Sequence, residues 1–394
     1  MPAGDNATLV ELGDVTAEEL HAAAREWRAR PGVAKVVVGH SSLYVIHGAG
    51  SADVQPEREP REHHIRVVFD EGFPVERIRN LRLTVRYLGF RGGFAYLDGW
   101  PEELAMPRRP TSRPVKAGSF AVAGTVAGFY PIDTPGGWNV LGHTDAELEN
   151  AFVPGDVIYV IPWSGGLSAR RGRAESPSLQ RATLITSPLT TILGVPFDDL
   201  AAALAANAVK GNVELLESAL IGPRLRFHQR AHIAWCTPDL RLQTREVAAG
   251  DELTFGRIEH GLRAYLAIGD EPGVVETRER GDRHVIKAMK GPHETSIDEV
   301  ECDVTSKLDR VGIRLRPRTP LSIAIPADLK SIGMQVGTVQ LHPDGSLVAM
   351  GPDHPVTGGY LQPMTVITGE RWKLAQLVPG ERVLLTTRTD TPSG

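Results

Sequence analysis

Cysteine is scarce: Cys236 and Cys302 are the only two in 394 residues. That excludes a disulfide framework and a thiolate zinc cluster, and it fits a reducing compartment. Aromatics make up only 6%, and neither charge dominates, with 43 Lys+Arg against 48 Asp+Glu. A net charge of −5 lacks the basic face of a general nucleic-acid or anionic-membrane binder. No apolar run has the length of a membrane span, and MPAGDNATLVELGD has no basic region leading into an apolar stretch. No signal peptide, membrane contact or nucleic-acid partner is expected, and the chain reads as cytoplasmic.

Several catalytic signatures are missing too. There is no GxxxxGK[ST] phosphate loop, no GxSxG elbow and no HExxH helix. Gly48-Ala-Gly50 lacks the third glycine and the helix of a dinucleotide fingerprint. His63-His64 lacks one-face helical spacing, so no metal site is expected and the pair reads as an exposed loop. Ala288-Met-Lys290 matches the core of a biotin-attachment turn, but Gly291-Pro292 follows where a Met belongs. Covalent biotin is not expected there, and Lys290 reads as a plain strand-to-turn lysine. Cys236, in an apolar run, reads as a buried structural thiol.

What the chain has in plenty is Gly, 41, and Pro, 29, without a period. Turns are therefore frequent and strands short. Ala7–Leu12 reads as a strand. The capping box Thr16-Ala-Glu-Glu19 opens a helix to about Arg30, and Val33–Val38 and Ser42–Ile46 read as β. From Ile65 to Ile161 short β segments alternate with Gly and Pro. The stretch 164–180 has the small, polar, basic composition of a linker. A helix runs from Asp198 or Asp199 to about Val209, and the rest is again mainly β. The expected organisation is a small α/β lobe over 1–60, a barrel over 61–163, a linker over 164–180 and a β domain over 181–394.

Two segments stand out, Gly118–Thr144 (GSFAVAGTVAGFYPIDTPGGWNVLGHT) and Gly337–Tyr360 (GTVQLHPDGSLVAMGPDHPVTGGY). Each passes through a β-like run and a Pro-containing turn to a Gly-Gly pair capped by Trp138 or Tyr360. Adjacent glycines let a backbone approach a ligand closely, and the aromatic adds a flat wall. The alternative is a tight turn that packs its aromatic into the core.

These segments carry a resemblance. Tyr87-Leu-Gly-Phe90, Pro107-Arg-Arg109, Arg113, Gly118-Ser119, Tyr130-Pro131, Pro135-Gly-Gly-Trp138, Gly142-His-Thr144 and Pro154-Gly-Asp156 resemble the B subunit of 5-oxoprolinase. Asp199, Asn207, Glu217, Gly261–Ala267, Asp309-Arg310, Arg314-Leu315, Gln340, Thr357-Gly-Gly-Tyr360 and Pro379-Gly380 resemble its C subunit. The family also includes allophanate hydrolase subunits 1 and 2, the carboxyltransferase part of urea carboxylase and a kinase-inhibitor pair. Here the two subunits look fused. The resemblance implies two cyclophilin-like β-barrel halves, with a small α/β lobe before the first, and a ligand cleft where the halves meet. The chain departs from the family at His143, where an Arg is usual, at Gly92, where a Pro is usual, and in a shortened stretch up to Asp199.

Within that frame, His143, His354, Asp353 and Arg310 are the catalytic candidates. An imidazole can act as general acid or base, Asp353 adjoins His354, and a guanidinium is a planar fork for carboxylate or phosphate. Arg113, Tyr130, Trp138, Asp199, Gln340, Thr357 and Tyr360 are the substrate-binding candidates, with N-capping the alternative for Asp199. Three functions stay open. One is ATP-dependent hydrolysis of a small cyclic amide with a separate A-type subunit. The second is an ATP-independent cyclase, lyase or isomerase, and the third a kinase-inhibiting binding module. A homo-oligomer fits any of them.

Overall fold

The computed structural model describes residues 1–48, 59–78, 81–89, 94–107, 109, 113–131, 134–148, 151–164, 179–186, 190–192, 196–326 and 329–388. Most of the 164–180 linker and of Gly194-Val-Pro196 lies outside the described residues, as do Phe90 and Gly92. The chain is 45% strand and 11% helix, the mainly β class expected. Contacts divide it into two compact units. The first holds Met1–Arg171, Ile325–Gln335 and Asp353–Leu361, and the second holds Gly172–Ala324, Val336–Pro352 and Gln362–Gly394.

The first unit opens with the small α/β lobe. Helix α1 (Ala17–Arg28) starts at Thr16, whose side chain accepts the Glu19 amide while the Glu19 carboxylate accepts the Thr16 amide. Two of the unsatisfied amides at the helix start are thereby bonded. Leu20 and Ala24 bury one face of α1 against Val36, Val38, Leu43 and Val45. Those residues belong to a three-stranded sheet, Ala7–Glu11, Ser42–His47 and Val33–Val38.

A closed seven-stranded barrel follows: Glu62–Phe69, Arg82–Leu88, Ala95–Asp98, Ser119–Ala123, Val126–Phe129, Asn139–His143 and Val157–Pro162. Round the ring these run sixth, first, seventh, second, third, fifth, fourth. The first and seventh strands pair in parallel. Alternate residues point inward, so Phe120, Val122, Ala127, Phe129, Ile158 and Val160 fill the core.

The second unit opens with a five-stranded antiparallel sheet, in order Thr190–Ile192, Glu214–Ala219, Arg263–Gly269, Ala231–Cys236 and Leu242–Val247. Helix α2 (Asp199–Asn207) packs Ala201 and Ala205 with Ala234, Tyr265 and Ala267 on one face. Leu225 and Phe227 of a small three-stranded sheet cover the other, against Leu216 and Leu266. Cys236 is buried, which pushes its thiol up to about 12, as its apolar run implied.

A second closed barrel then forms from Val285–Lys290, Glu299–Leu308, Gly312–Pro317, Thr338–Leu341, Leu347–Met350, Leu361–Val366 and Arg382–Thr386. Its ring order is identical to that of the first barrel, and its first and seventh strands again pair in parallel. The turns repeat as well. Gly155 and Gly380, at φ +94 and +91, precede the seventh strands, and their amides bond Val85 O and Val304 O, each at 2.8 Å. Gly118 and Gly337, at φ +82 and +87, precede the fourth strands. Their carbonyls accept the amides of Thr144 and Val366 at 2.9 and 2.8 Å. Left-handed φ at these four places makes glycine the fitting residue. The two Gly-Gly-aromatic segments thus occupy equivalent places, directly before the sixth strands.

Candidate functional site

In the first unit Arg113 begins a short strand that pairs with Thr134–Gly136, and its side chain is exposed. Trp138 turns back onto an aromatic cluster, edge-on to Phe94 at 5.0 Å and to Tyr96 at 5.5 Å. Tyr130 is buried against Phe94 at 4.6 Å. Tyr87 stacks on Tyr96 at 4.2 Å, and burial, with Tyr96 beside it, pushes the Tyr87 hydroxyl far above its ordinary pKa. The described parts of this loop therefore follow the packing alternative.

The second loop meets the same cluster. Thr357 Oγ1 donates to Leu88 O at 3.1 Å, and its amide reaches Gly89 O at 3.4 Å. Gly89 has no side chain because a Cβ there would lie 2.7 Å from the Tyr96 ring. Gly358 pairs with Ile332, and Tyr360 remains 40% exposed, the more ligand-accessible of the two capping aromatics. His354 is buried with Nδ1 2.5 Å from Pro355 O, and Asp353 is half-buried beside it.

His143 ends the sixth strand of the first barrel, exposed, with Nδ1 3.3 Å from the buried Ser119 Oγ. Ser119 Oγ donates its single proton to Lys116 O at 2.7 Å. Nδ1 of His143 must then be the donor to Oγ, which leaves Nε2 as the basic nitrogen. With Nδ1 so engaged, the other ring nitrogen of the exposed His143 is an acceptor for a proton. Ser119 was visible in the sequence only as part of the Gly118-Ser119 match.

The remaining candidates lie in the second unit. Arg310 donates to Glu217 Oε1 at 2.8 Å. Glu217 Oε2 accepts the Tyr265 hydroxyl at 2.7 Å and the Phe197 amide at 3.0 Å. Tyr265 in turn accepts the Asp198 amide at 2.8 Å. Asp198 is gripped by both terminal nitrogens of Arg280 and by Gln376 Nε2 at 2.7 Å. Arg263 is 2% exposed, donating to Ala375 O at 2.6 Å, with Nε 3.3 Å from Glu217 Oε1 but not aligned for a hydrogen bond. Burial lowers its pKa against the pull of Glu217 and raises that of Tyr265 strongly.

Two expectations are corrected here. The helix cap is Asp198, whose carboxylate accepts the Ala201 amide, so Asp199 sits exposed in the first turn of α2. His63-His64 is no loop pair but part of a barrel strand, where alternation turns His63 inward to Asp156 Oδ2 at 2.9 Å. Gln340 is buried in the fourth strand of the second barrel, and its Nε2 has no partner among the described residues. Sequence reasoning missed Asp198, Arg263, Tyr265, Arg280 and Gln376 as a network. Among the described residues no group of three or more His, Cys, Asp or Glu is placed to hold a metal, and no helix is long and apolar enough to cross a membrane.

Residues 71–152 match the model of the carboxyltransferase domain, subdomain C and D, and residues 193–278 and 271–387 match that of subdomain A and B. The chain belongs to the carboxyltransferase-domain family. It is 39% identical over 101 residues to the 5-oxoprolinase B subunit of Escherichia coli O157:H7, covering 24% of this chain and 46% of that protein. It is 29% identical over 161 residues to the 5-oxoprolinase C subunit of Haemophilus influenzae, covering 38% and 48%. The chain thus spans about half the length of these two curated relatives. Among solved structures, TTHA0988 shares the fold, with a TM-score of 0.76 at 23% identity over 98% of this chain and 100% of that one. One family member therefore matches relatives of both kinds, as a fused chain does.

Proposed function

We propose that the chain is a fused counterpart of the B and C subunits of 5-oxoprolinase, acting on a small cyclic amide or carboxylate with ATP and a separate A-type subunit. The observation that carries this reading is that one chain matches both carboxyltransferase models, one after the other along the sequence. In the first unit His143 Nε2 is the general base, set by Ser119, and Arg113 is an exposed guanidinium for an anionic group. Arg310 serves through Glu217, which holds its guanidinium in place. The test is 5-oxoproline-dependent ADP release by the purified chain, with and without an A-type subunit. Release only when that partner is present supports the reading, and no release in either case overturns it.

A second reading, an enzyme that works without ATP, is favoured by one observation. Arg310 is joined to a buried carboxylate that is 4% exposed, and such pairing neutralises a phosphate-binding arginine. Turnover of a cyclic amide or carboxylate without nucleotide consumption would select it.

A further inference from the structure

The first barrel has a concavity at one end that plays no part in the reading above. It is an open depression of about 420 Å³, a volume within the range of small-molecule sites. Its floor is apolar, with Leu104 and Leu141 buried and Phe73 half-buried among its walls. Phe73 stacks on Phe69 at 4.8 Å. Asp70, Glu71 and Glu103 stand exposed at its edge, and among the described residues no Lys, Arg or His lines it. None of the three carboxylates has an ion-pair partner among the described residues. Apolar walls beneath a one-signed rim select a ligand with an apolar body and a head of opposite charge. An anionic substrate of the kind proposed above is disfavoured here by the same field.

We infer that this concavity is a binding site for a small cationic amphiphile, an alkylammonium or alkylguanidinium whose chain lies on Leu104, Leu141 and Phe73. The head group sits among Asp70, Glu71 and Glu103. The site is distinct from the His143–Ser119 pair, so its occupancy is measured without reference to ADP release.

Calorimetric titration of the intact chain with hexylammonium, 1-hexanol and hexanoate at low ionic strength tests this. Hexylammonium binds about tenfold more tightly than hexanol, the size expected of a few solvated ion pairs, and hexanoate binds least. The D70N/E71Q/E103Q variant brings hexylammonium down to the hexanol level. Should that variant not fold, added salt on the wild-type chain erases the preference instead. Equal binding of the three probes, a preference for hexanoate, no binding of hexylammonium or a salt-independent preference overturns the inference.

Discussion

In the first barrel Phe120 meets Phe129 at 4.9 Å and Trp100 at 5.6 Å, ring against ring. The second barrel has the same ring order, yet no aromatic occurs among its buried hydrophobic residues from Ile286 to Leu385. Leu315, Leu347, Leu385, Met364 and Cys302 fill it instead. Two cores of different chemistry thus support one topology. What they share is the inward alternation of each strand and the glycines at the turns before the fourth and seventh strands. A core needs apolar volume of about the right size, while the turns set where each strand begins.

The largest test of that comparison is core truncation. Phe120→Ala should cost about 3–5 kcal/mol and Leu315→Ala about 2–5 kcal/mol, because both are wholly buried. Urea unfolding monitored by circular dichroism measures each. If only the aromatic core proved sensitive, the two barrels would not be equivalent as packed units.

Next is an exchange between equivalent positions. Gly128 faces Ala121, and Val348 faces Gln340, each three residues beyond the turn glycine. A Cβ at Gly128 would lie 2.4 Å from Phe94 Cζ. Gly128→Val should therefore cost about 1–3 kcal/mol by overpacking. The difference in midpoint from wild type checks it, and an unchanged midpoint would mean that Phe94 gives way freely.

A smaller effect concerns acid. Asp156 and Glu381 stand at the start of the seventh strands, accepting the amides of Val153 and Val378 at 2.9 and 2.8 Å. Burial pushes the Glu381 carboxyl up, but Arg283 and the Val378 amide outweigh it and hold the pKa below its ordinary 4.5. Its contribution is complete above that value and is lost as pH falls through the lower folded value. Glu381→Gln should lower neutral stability and flatten the acid limb of a stability–pH profile. A steeper acid limb in the variant would contradict this.

The smallest effect is at Thr365, the counterpart of His143, one residue before the amide that bonds the turn glycine. Its hydroxyl is buried without a partner among the described residues. Thr365→Val should therefore stabilise by about 1 kcal/mol, since an unsatisfied buried hydroxyl is disfavoured. Destabilisation by that amount would show that the hydroxyl is bonded.

The local half of this architecture is legible in the sequence. Thr16 and Glu19 announce α1, and Pro154-Gly-Asp156 and Pro379-Gly380 mark the turns that close both barrels. The paired Gly-Gly-aromatic segments signal a repeat. What is not legible is remote pairing. Gln376 and Asp198 are 178 positions apart, and His63 and Asp156 are 93 apart. No local propensity encodes such partners, because they meet only once the strands are ordered. For the same reason Arg310 reads as an anion binder in sequence and is found bonded to Glu217. Likewise Ile325–Gln335 and Asp353–Leu361, late in the chain, belong to the first compact unit.

The claim that one barrel occurs twice is tested most directly by amide hydrogen exchange at equivalent residues. The amides of Gly155 and Gly380, Val85 and Val304, and Thr144 and Val366 are bonded alike in the two barrels. The account predicts protection at all six, since each closes its ring. Rapid exchange at one member of a pair beside a protected partner would contradict it.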